Sequence, residues 1–407
     1  MKSILNEIVP NREERRVLKK ASKHMVKKIN KKLKKARAVV GGSIAKKTFL
    51  KGDYDVDIFV QFDKKYYKDK DISKVLHARL KSLFPETSKI SGLHKIHGSR
   101  DYFQILQDPF TFEIVPIYRI KKAEEAENIT DISPLHTKWV RKKGKRLVDE
   151  IRLAKAFCKA NNIYGAESYI RGFSGYTLEI LTSHYKSFQS LIQAASRWEK
   201  GEQIDPEKHG VSKLNQSKIS PLIVIDPVQN DRNTAASLSE KRFDEFVDLA
   251  KAFLRNPSPD YFKKTEFDLE KIKSAAILRI VPLKGKEDVV GSKLIKCSEY
   301  IHQQLQKEGY QVKSHDWNWD NKEAYFWYFI KSKDLPKEKQ HFGPPSKEKA
   351  HLREFKKKYS KYPLRKQGTR TYVILHRKHT NVNHFLKHLI DSDMYIRERV
   401  KEIKILI

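Results

Sequence analysis

The chain has 407 residues, with 84 Lys plus Arg against 50 Asp plus Glu, for a formal net charge of +34. At roughly 100–200 residues per domain it holds about two to four domains, and 39% hydrophobic with 11% aromatic residues excludes wholesale disorder. So large a positive excess implies a polyanionic partner, nucleic acid before an acidic membrane, and no apolar run approaches the ~18 residues of a spanning helix.

In chain order, Met1 to Glu7 lack the apolar core of a secretion signal. Residues 11–37 predict one basic helix, capped by Asn11, with Leu18, Ala21, Met25, Ile29, Leu33 and Ala36 on one apolar stripe. Its lysine-rich face suits either solvent or RNA. A short strand at 37–40, a Gly41-Gly42-Ser43 turn and a half-buried strand over 54–62 follow. A helix over 71–84 stops before Pro85, and strands lie near 101–107 and 110–120. From 131 to about 255 the period becomes helical, at 145–161, 174–185, 187–199 and 239–254.

Asn256-Pro257-Ser258-Pro259 marks a linker. Beyond it a strand at 276–282, a helix at 287–309 and a strand pair at 310–318 and 323–332 form a β-α-β-β order suited to an RNA-binding or ferredoxin-like module. Residues 333–370 are polar, basic and Pro-rich; 371–377 predict a strand and 381–404 a helix. The expected fold class is multidomain, α/β + α + α/β, divided as 1–140, 141–256 and 257–407. Cys158 and Cys297 lie far apart without ligand spacing, so neither a disulfide framework nor a zinc site is expected, and a cytoplasmic location is.

The chemistry concentrates in 41–60. Asp55 and Asp57 are two apart in a strand, so both carboxylates leave the same face. Paired carboxylates repel unless a cation neutralises them, and Mg²⁺ does so while keeping positions for waters and phosphates. Gly41-Gly42 lets backbone approach closely, and Ser43 offers a hydroxyl and an amide to an anion. Either motif alone is commonplace. Together, a glycine turn followed a dozen residues later by Asp-x-Asp heading an apolar strand resembles the polymerase-β-type nucleotidyltransferases. That chemistry wants a third carboxylate on a neighbouring strand, and Glu113, a lone acid within Phe110–Tyr118, is the candidate.

Further blocks make the resemblance specific: Gly42–Asp57, Glu113–Tyr118, Ser133–Trp139, Arg152–Glu167, Arg171–Tyr176 and Asp226–Ser237. In this order, over about the first 250 residues, they resemble the archaeal-type (class I) CCA-adding enzymes, which are tRNA nucleotidyltransferases. The resemblance implies a polymerase-β-type head over 1–140, a helical nucleotide-selecting domain over 141–256, and an α+β tRNA-binding body and tail over 257–407. It implies template-independent addition or repair of the 3′-terminal CCA of tRNA from CTP and ATP.

By the same resemblance, Asp55, Asp57 and Glu113 form the catalytic, metal-holding triad for two Mg²⁺, with Mn²⁺ as the alternative ion. Gly42, Ser43 and Lys46 fall at the triphosphate. His136, Lys155 and Tyr164 match positions holding the incoming nucleotide's phosphates and sugar, and Arg232 an arginine that helps read the base. Taken without the resemblance, Lys155 and Tyr164 are ordinary surface or core residues, and His136 a loop or N-cap histidine. His94 and His97 are expected to be structural.

Two positions depart from the family. Lys46 stands where Arg is usual, replacing a bidentate fork by a point charge, and Glu113 stands where Asp is usual, one methylene longer. Basic residues over 333–378, with Phe342, Phe355, Tyr359, Tyr362 and Tyr372, suit phosphate and base contacts or the tail's own core. The partners implied are tRNA, CTP and ATP, with no membrane and no DNA; a homodimer is left open. The alternatives are an RNA-tailing enzyme making poly(A) or oligo(U), and a non-catalytic tRNA-binding protein.

Overall fold

A computed structural model describes residues 1–85, 91–210, 214–264 and 266–406. The chain forms two compact units, Met1–Thr265 and Glu266–Ile407.

The first unit begins with helices α1 (Lys2–Ile8) and α2 (Arg12–Asn30). Asn11 caps α2 in a reciprocal box with Glu14: each side chain accepts the other's backbone N–H, at 2.8 and 2.7 Å. Leu18, Met25 and Ile29 bury the expected stripe, but α2 stops at Asn30 rather than 37. The Asn30 side chain clasps both the N–H and the carbonyl of Ala38, and Lys35 takes a left-handed φ of 50°, which helix cannot continue.

There follow β1 (Ala36–Val40), α3 (Gly42–Lys46), β2 (Asp55–Phe62), α4 (Lys64–Tyr67), α5 (Ile72–Leu83), β3 (Ser91–Ile96), β4 (Tyr102–Gln107) and β5 (Phe110–Tyr118). The strands form one sheet, ordered β1-β2-β5-β4-β3, in which β2 and β5 run parallel and the other pairs antiparallel. β3 was not expected; it carries His94, while His97 Nδ1 lies 2.9 Å from Asp101 Oδ1 just beyond it. Val56, Ile58, Val60 and Phe62 of β2 with Phe112 and Ile114 of β5 are buried against α2 and α5. With β2 and β5 so heavily buried, their pairing is fixed to one register.

The remainder of this unit is α6 (Ser133–Lys143), α7 (Val148–Ala160), α8 (Gly175–Tyr185), α9 (Phe188–Ala195), β6 (Glu202–Ile204), β7 (Leu222–Asp226), β8 (Gln229–Asn233) and α10 (Glu240–Arg255). Ser133–Trp139 opens α6, with Pro134 in its first turn, so His136, read by itself as a loop or N-cap histidine, lies inside a helix; α6 runs through residue 140. β6, β7 and β8 make a small sheet inside a region expected to be helical. Leu222–Asp226 is a continuous buried run, whose periodicity cannot separate strand from helix. Phe157, Phe173, Phe188, Phe246 and Phe253 supply most of the aromatic bulk of the core here.

The second unit contains β9 (Ala276–Pro282), α11 (Glu287–Glu308), β10 (Val312–Trp319), β11 (Ala324–Ile330), β12 (Glu338–Pro345), α12 (Lys349–Lys358), β13 (Arg365–Gln367), β14 (Arg370–His376), α13 (Val382–Ser392), α14 (Met394–Arg397) and β15 (Val400–Leu406). Its main sheet, β10-β11-β9-β15, is antiparallel throughout. With α11 and α13 this is a β-α-β-β-α-β arrangement of ferredoxin-like type, into which a second sheet, β12-β14-β13, is inserted. The helix expected over 381–404 ends early. Asp393 is extended, and Ile403 and Ile405 pair with Ile280 and Leu278 at the sheet edge. Among the tail aromatics Phe355 is core, whereas Phe342 and Tyr362 are exposed.

Cys158 and Cys297 are both buried and free. Among the described residues no helix is long and apolar enough to cross a membrane.

Candidate active site

Asp57 lies opposite Glu113 across the parallel β2–β5 pair, and Asp55 lies opposite Thr111. Strand alternation therefore turns all three acids to one face of the sheet. Burial, then Glu113, then Asp55 push the Asp57 carboxyl up to about 6 against the pull of Lys46. Burial and Asp53 raise Asp55, partly offset by Lys159 and a hydrogen bond from Thr111. Glu113 accepts from Gln104 Nε2 at 3.0 Å.

The glycine turn closes on this face. Gly41 N–H donates to the Asp57 carbonyl at 2.8 Å. Gly42 has a φ of +54°, and a Cβ there would fall 1.6 Å from Asp57 Oδ2. Any side chain at 42 would displace the carboxylate. Ser43 follows in the first turn of α3.

A second cluster centres on a residue that sequence reasoning missed. Glu179 of α8 is fully buried; its Oε2 accepts from Lys46 Nζ at 2.6 Å, and its Oε1 from Thr48 Oγ1 at 2.6 Å and Lys155 Nζ at 2.8 Å. Burial alone would raise this carboxyl, but Lys155 and then Lys46 outweigh it and hold it at about 2. Arg152 of α7 fastens the same loop by donating to the carbonyls of Lys47 and Phe49 at 2.6 and 3.0 Å. Tyr164 packs at the edge of this cluster: a Cβ on Gly175 would lie 2.6 Å from its hydroxyl and 3.6 Å from Lys155 Cε. Burial pushes the Tyr164 hydroxyl up, so it stays protonated.

A third cluster centres on Asp226, which ends β7 and is fully buried. Arg232 donates to its Oδ2 at 2.8 Å, His136 Nε2 lies 3.0 Å from the same oxygen, and Tyr176 donates to Oδ1 at 3.1 Å. The His136 ring stacks on Tyr176 with centroids 4.1 Å apart. Lys46 Nζ stands 5.7 Å from the centroid of the same tyrosine ring, joining this cluster to the second. Burial lowers His136 despite Asp226, and Arg232 and Lys46 lower it further. Burial would raise Asp226, but His136 and Arg232 hold it below the ordinary carboxylate range.

The sequence-derived residues thus fall into three adjoining groups: Gly42, Asp55, Asp57 and Glu113; Lys46, Lys155 and Tyr164; His136 and Arg232. Glu179, Asp226, Thr48 and Tyr176 bind the latter two groups together and were not singled out. Both acids carry the signal that marked Glu113, a lone carboxylate in an apolar run, Thr177–Leu181 for one and Leu222–Asp226 for the other.

Among the described residues no three His, Cys, Asp or Glu side chains are already drawn into a ligating array. The triad is aligned by register. An all-carboxylate donor set whose members repel, with a Cβ-free cradle against Asp57 Oδ2, fits a hard divalent cation.

Comparisons with known proteins agree along the chain. Residues 23–136 match a nucleotidyltransferase domain, 149–263 the second domain of tRNA nucleotidyltransferases, and 281–402 the C-terminal domain of CCA-adding enzymes. A CCA-adding enzyme of Nanoarchaeum equitans is 35% identical over 380 residues, 91% of this chain and 92% of that one. One from Methanocaldococcus jannaschii is 30% identical over 417 residues, 97% and 91% of the two chains. A crystal structure of the Cid1 poly(U) polymerase bound to Mg and 3′-dATP shares the fold, with a TM-score of 0.50 at 14% identity over 65% of this chain and 97% of that one. With such relatives covering 91% and 97% of its length, the chain belongs to the CCA-adding enzymes.

Proposed function

We propose that the chain builds and repairs the 3′-terminal CCA of tRNA from CTP and ATP, using the acids of β2 and β5. The observation that carries this is Asp57 facing Glu113 beneath a glycine that has no room for a side chain, in a chain of this family. The terminal 3′-oxygen of the tRNA attacks the α-phosphorus of the nucleotide. A phosphodiester bond forms, the α–β anhydride breaks and pyrophosphate leaves.

Asp55, Asp57 and Glu113 would hold two Mg²⁺, or Mn²⁺, which when bound activate the attacking hydroxyl and neutralise the departing pyrophosphate. Ser43 and Lys46 bind the triphosphate, and Tyr164 offers its protonated hydroxyl to the ribose. Arg232, held by Asp226, turns its remaining N–H groups to the base edge, with His136 beside it. Lys155 acts from behind: its ammonium donates to Thr48 O at 3.4 Å, Thr48 Oγ1 at 3.0 Å and Glu179 Oε1 at 2.8 Å, leaving no hydrogen for a phosphate in this arrangement.

The three-part division at 140 and 256 is kept as a functional one: catalytic head, nucleotide-selecting middle, tRNA-binding body and tail. In the tail the exposed Phe342 and the half-buried Tyr372 form a cross-strand pair with ring centroids 5.3 Å apart, suited to stacking on RNA. RNA rather than DNA is the polymer, and the cytoplasm the location, under the same proposal.

The test supplies tRNA lacking CCA with all four nucleotides and sequences the 3′ ends. Addition is expected to stop after C, C, A. Homopolymer tails would favour a poly(A) or oligo(U) polymerase, and salt-sensitive tRNA binding without pyrophosphate release would favour a non-catalytic protein.

A further inference from the structure

We propose that Glu179 is a positioning residue for nucleotide binding, stationing Lys46 at the triphosphate and keeping Lys155 charged behind it. The inference rests on the function proposed above, and charge bookkeeping within the cluster carries it.

Glu179 gathers donors from three separate elements: Lys46 at the end of α3, Thr48 in the loop that follows, and Lys155 in α7. Both of its oxygens are used, and no solvent reaches it. A purely structural tie would be neutral, one carboxylate with one ammonium. The hydrogen-bonded members of this cluster are two ammoniums and one carboxylate, an excess of one positive charge that is offset only through space, by Asp53 at Lys155 and Asp57 at Lys46, and that a bound anion would complete.

The geometry also says where the excess is presented. Lys155 is 4% exposed and its three N–H donors all meet protein acceptors. Lys46 is 11% exposed and, among the described residues, has Glu179 as its one hydrogen-bond acceptor. The spare hydrogen-bonding capacity is therefore at Lys46, beside the Tyr176 ring and within electrostatic reach of Asp57. A nucleoside triphosphate supplies the missing anion. Lys46 replaces the bidentate arginine usual at this position, and a single ammonium on a flexible stem gains the more from being held.

The other charged or titratable groups facing Lys155 are few. Burial pulls the Lys155 ammonium below its ordinary value; Glu179 and Asp53 favour its charged form and Lys46 opposes it. Asp53 is itself tied to Lys159 at 2.6 Å. The neighbouring Tyr164 and Tyr176 hydroxyls are raised by burial and stay neutral.

The experiment uses the full-length protein as wild type, as Glu179→Gln, and as Glu179→Gln with Lys155→Met. It measures CTP affinity at equilibrium, KM and kcat for CTP, tRNA affinity and the melting temperature. Glu179→Gln should weaken CTP binding and raise its KM about tenfold or more, the scale of a lost charged hydrogen bond, with tRNA affinity within about twofold. Burial and Lys46 already disfavour the Lys155 ammonium, so without its counter-charge Lys155 loses its proton more readily, and the CTP affinity of Glu179→Gln relative to wild type should improve as pH falls.

Adding Lys155→Met removes the unpaired ammonium. It should restore the melting temperature and abolish the pH slope relative to wild type while leaving CTP binding weak, since Lys46 is still unheld. Wild-type CTP affinity in either variant overturns the proposal, as does a parallel loss of CTP and tRNA binding that follows the melting temperature. If the wild type adds something other than C, C, A, the proposed function fails while the CTP-binding comparison still decides the role of Glu179.

Discussion

Arg232 donates to Asp226 Oδ2 at 2.8 Å, and that carboxylate is fully buried while the arginine side chain keeps 32% exposure. One end of the guanidinium is fixed and the rest is free to meet a base. Asp226→Asn keeps the shape but removes the charge that orients the fork. Discrimination of CTP over UTP should fall about tenfold or more, measured as the ratio of kcat/KM values on tRNA lacking CCA. Unchanged discrimination would remove Arg232 and its carboxylate from base selection.

Asp55→Ala removes a ligand from the acid face without touching the tail. Incorporation should drop by about 10³-fold or more, the scale of losing a principal charge-stabilising group, while tRNA affinity stays within about twofold. Retained incorporation, read by pyrophosphate release, would sink the assignment of the triad.

Gly42→Ala tests the close approach. A methyl group would sit 1.6 Å from Asp57 Oδ2, on a residue with a left-handed φ of +54°. Displacing the carboxylate should reduce kcat by about 10²-fold, and the strained backbone should destabilise the fold by about 1–3 kcal/mol. Gly52, also at positive φ but with open space around its Cβ position, is the control: Gly52→Ala should lower the melting temperature and spare kcat.

His136 gives a pH dependence of defined sign. Its folded-state pKa lies below the ordinary 6.5, because burial and then Arg232 and Lys46 disfavour the imidazolium more than Asp226 favours it. The unfolded chain therefore binds the proton more readily. The stability this histidine contributes is complete above about pH 6.5 and is lost as pH falls below it, at most ~1.4 kcal/mol per pH unit. His136→Gln should flatten the decline in melting temperature between about pH 7 and 5; an unaltered slope would show that folding does not shift His136, and a steeper one that it is charged in the fold.

Strand alternation and a charge pattern made much of the architecture legible. Asp55 and Asp57 share a face because they are two apart in a strand, and the Asn11 cap and the strand–helix–strand–strand start of the second unit follow from local signals. The sequence pattern predicts helix through the C-terminal strand because Ile403 and Ile405 are too few to set a period, and only pairing with β9 decides it. Likewise Leu222–Asp226 carries no periodicity until Gln229–Asn233 and Glu202–Ile204 lie beside it.

The positive excess of 34 charges and the block order from Gly42 to Ser237 are properties of the sequence alone, and they identify a polyanion-binding nucleotidyltransferase without coordinates. What only tertiary structure decided is which cations are available to substrate. Lys46 and Lys155 read alike as basic residues, yet Lys155 has spent its donors on Thr48 and Glu179, and Lys46 has not. The reason is physical: a lysine's charge is set by its type, but its free hydrogen-bonding capacity is set by which carboxylates the fold buries beside it.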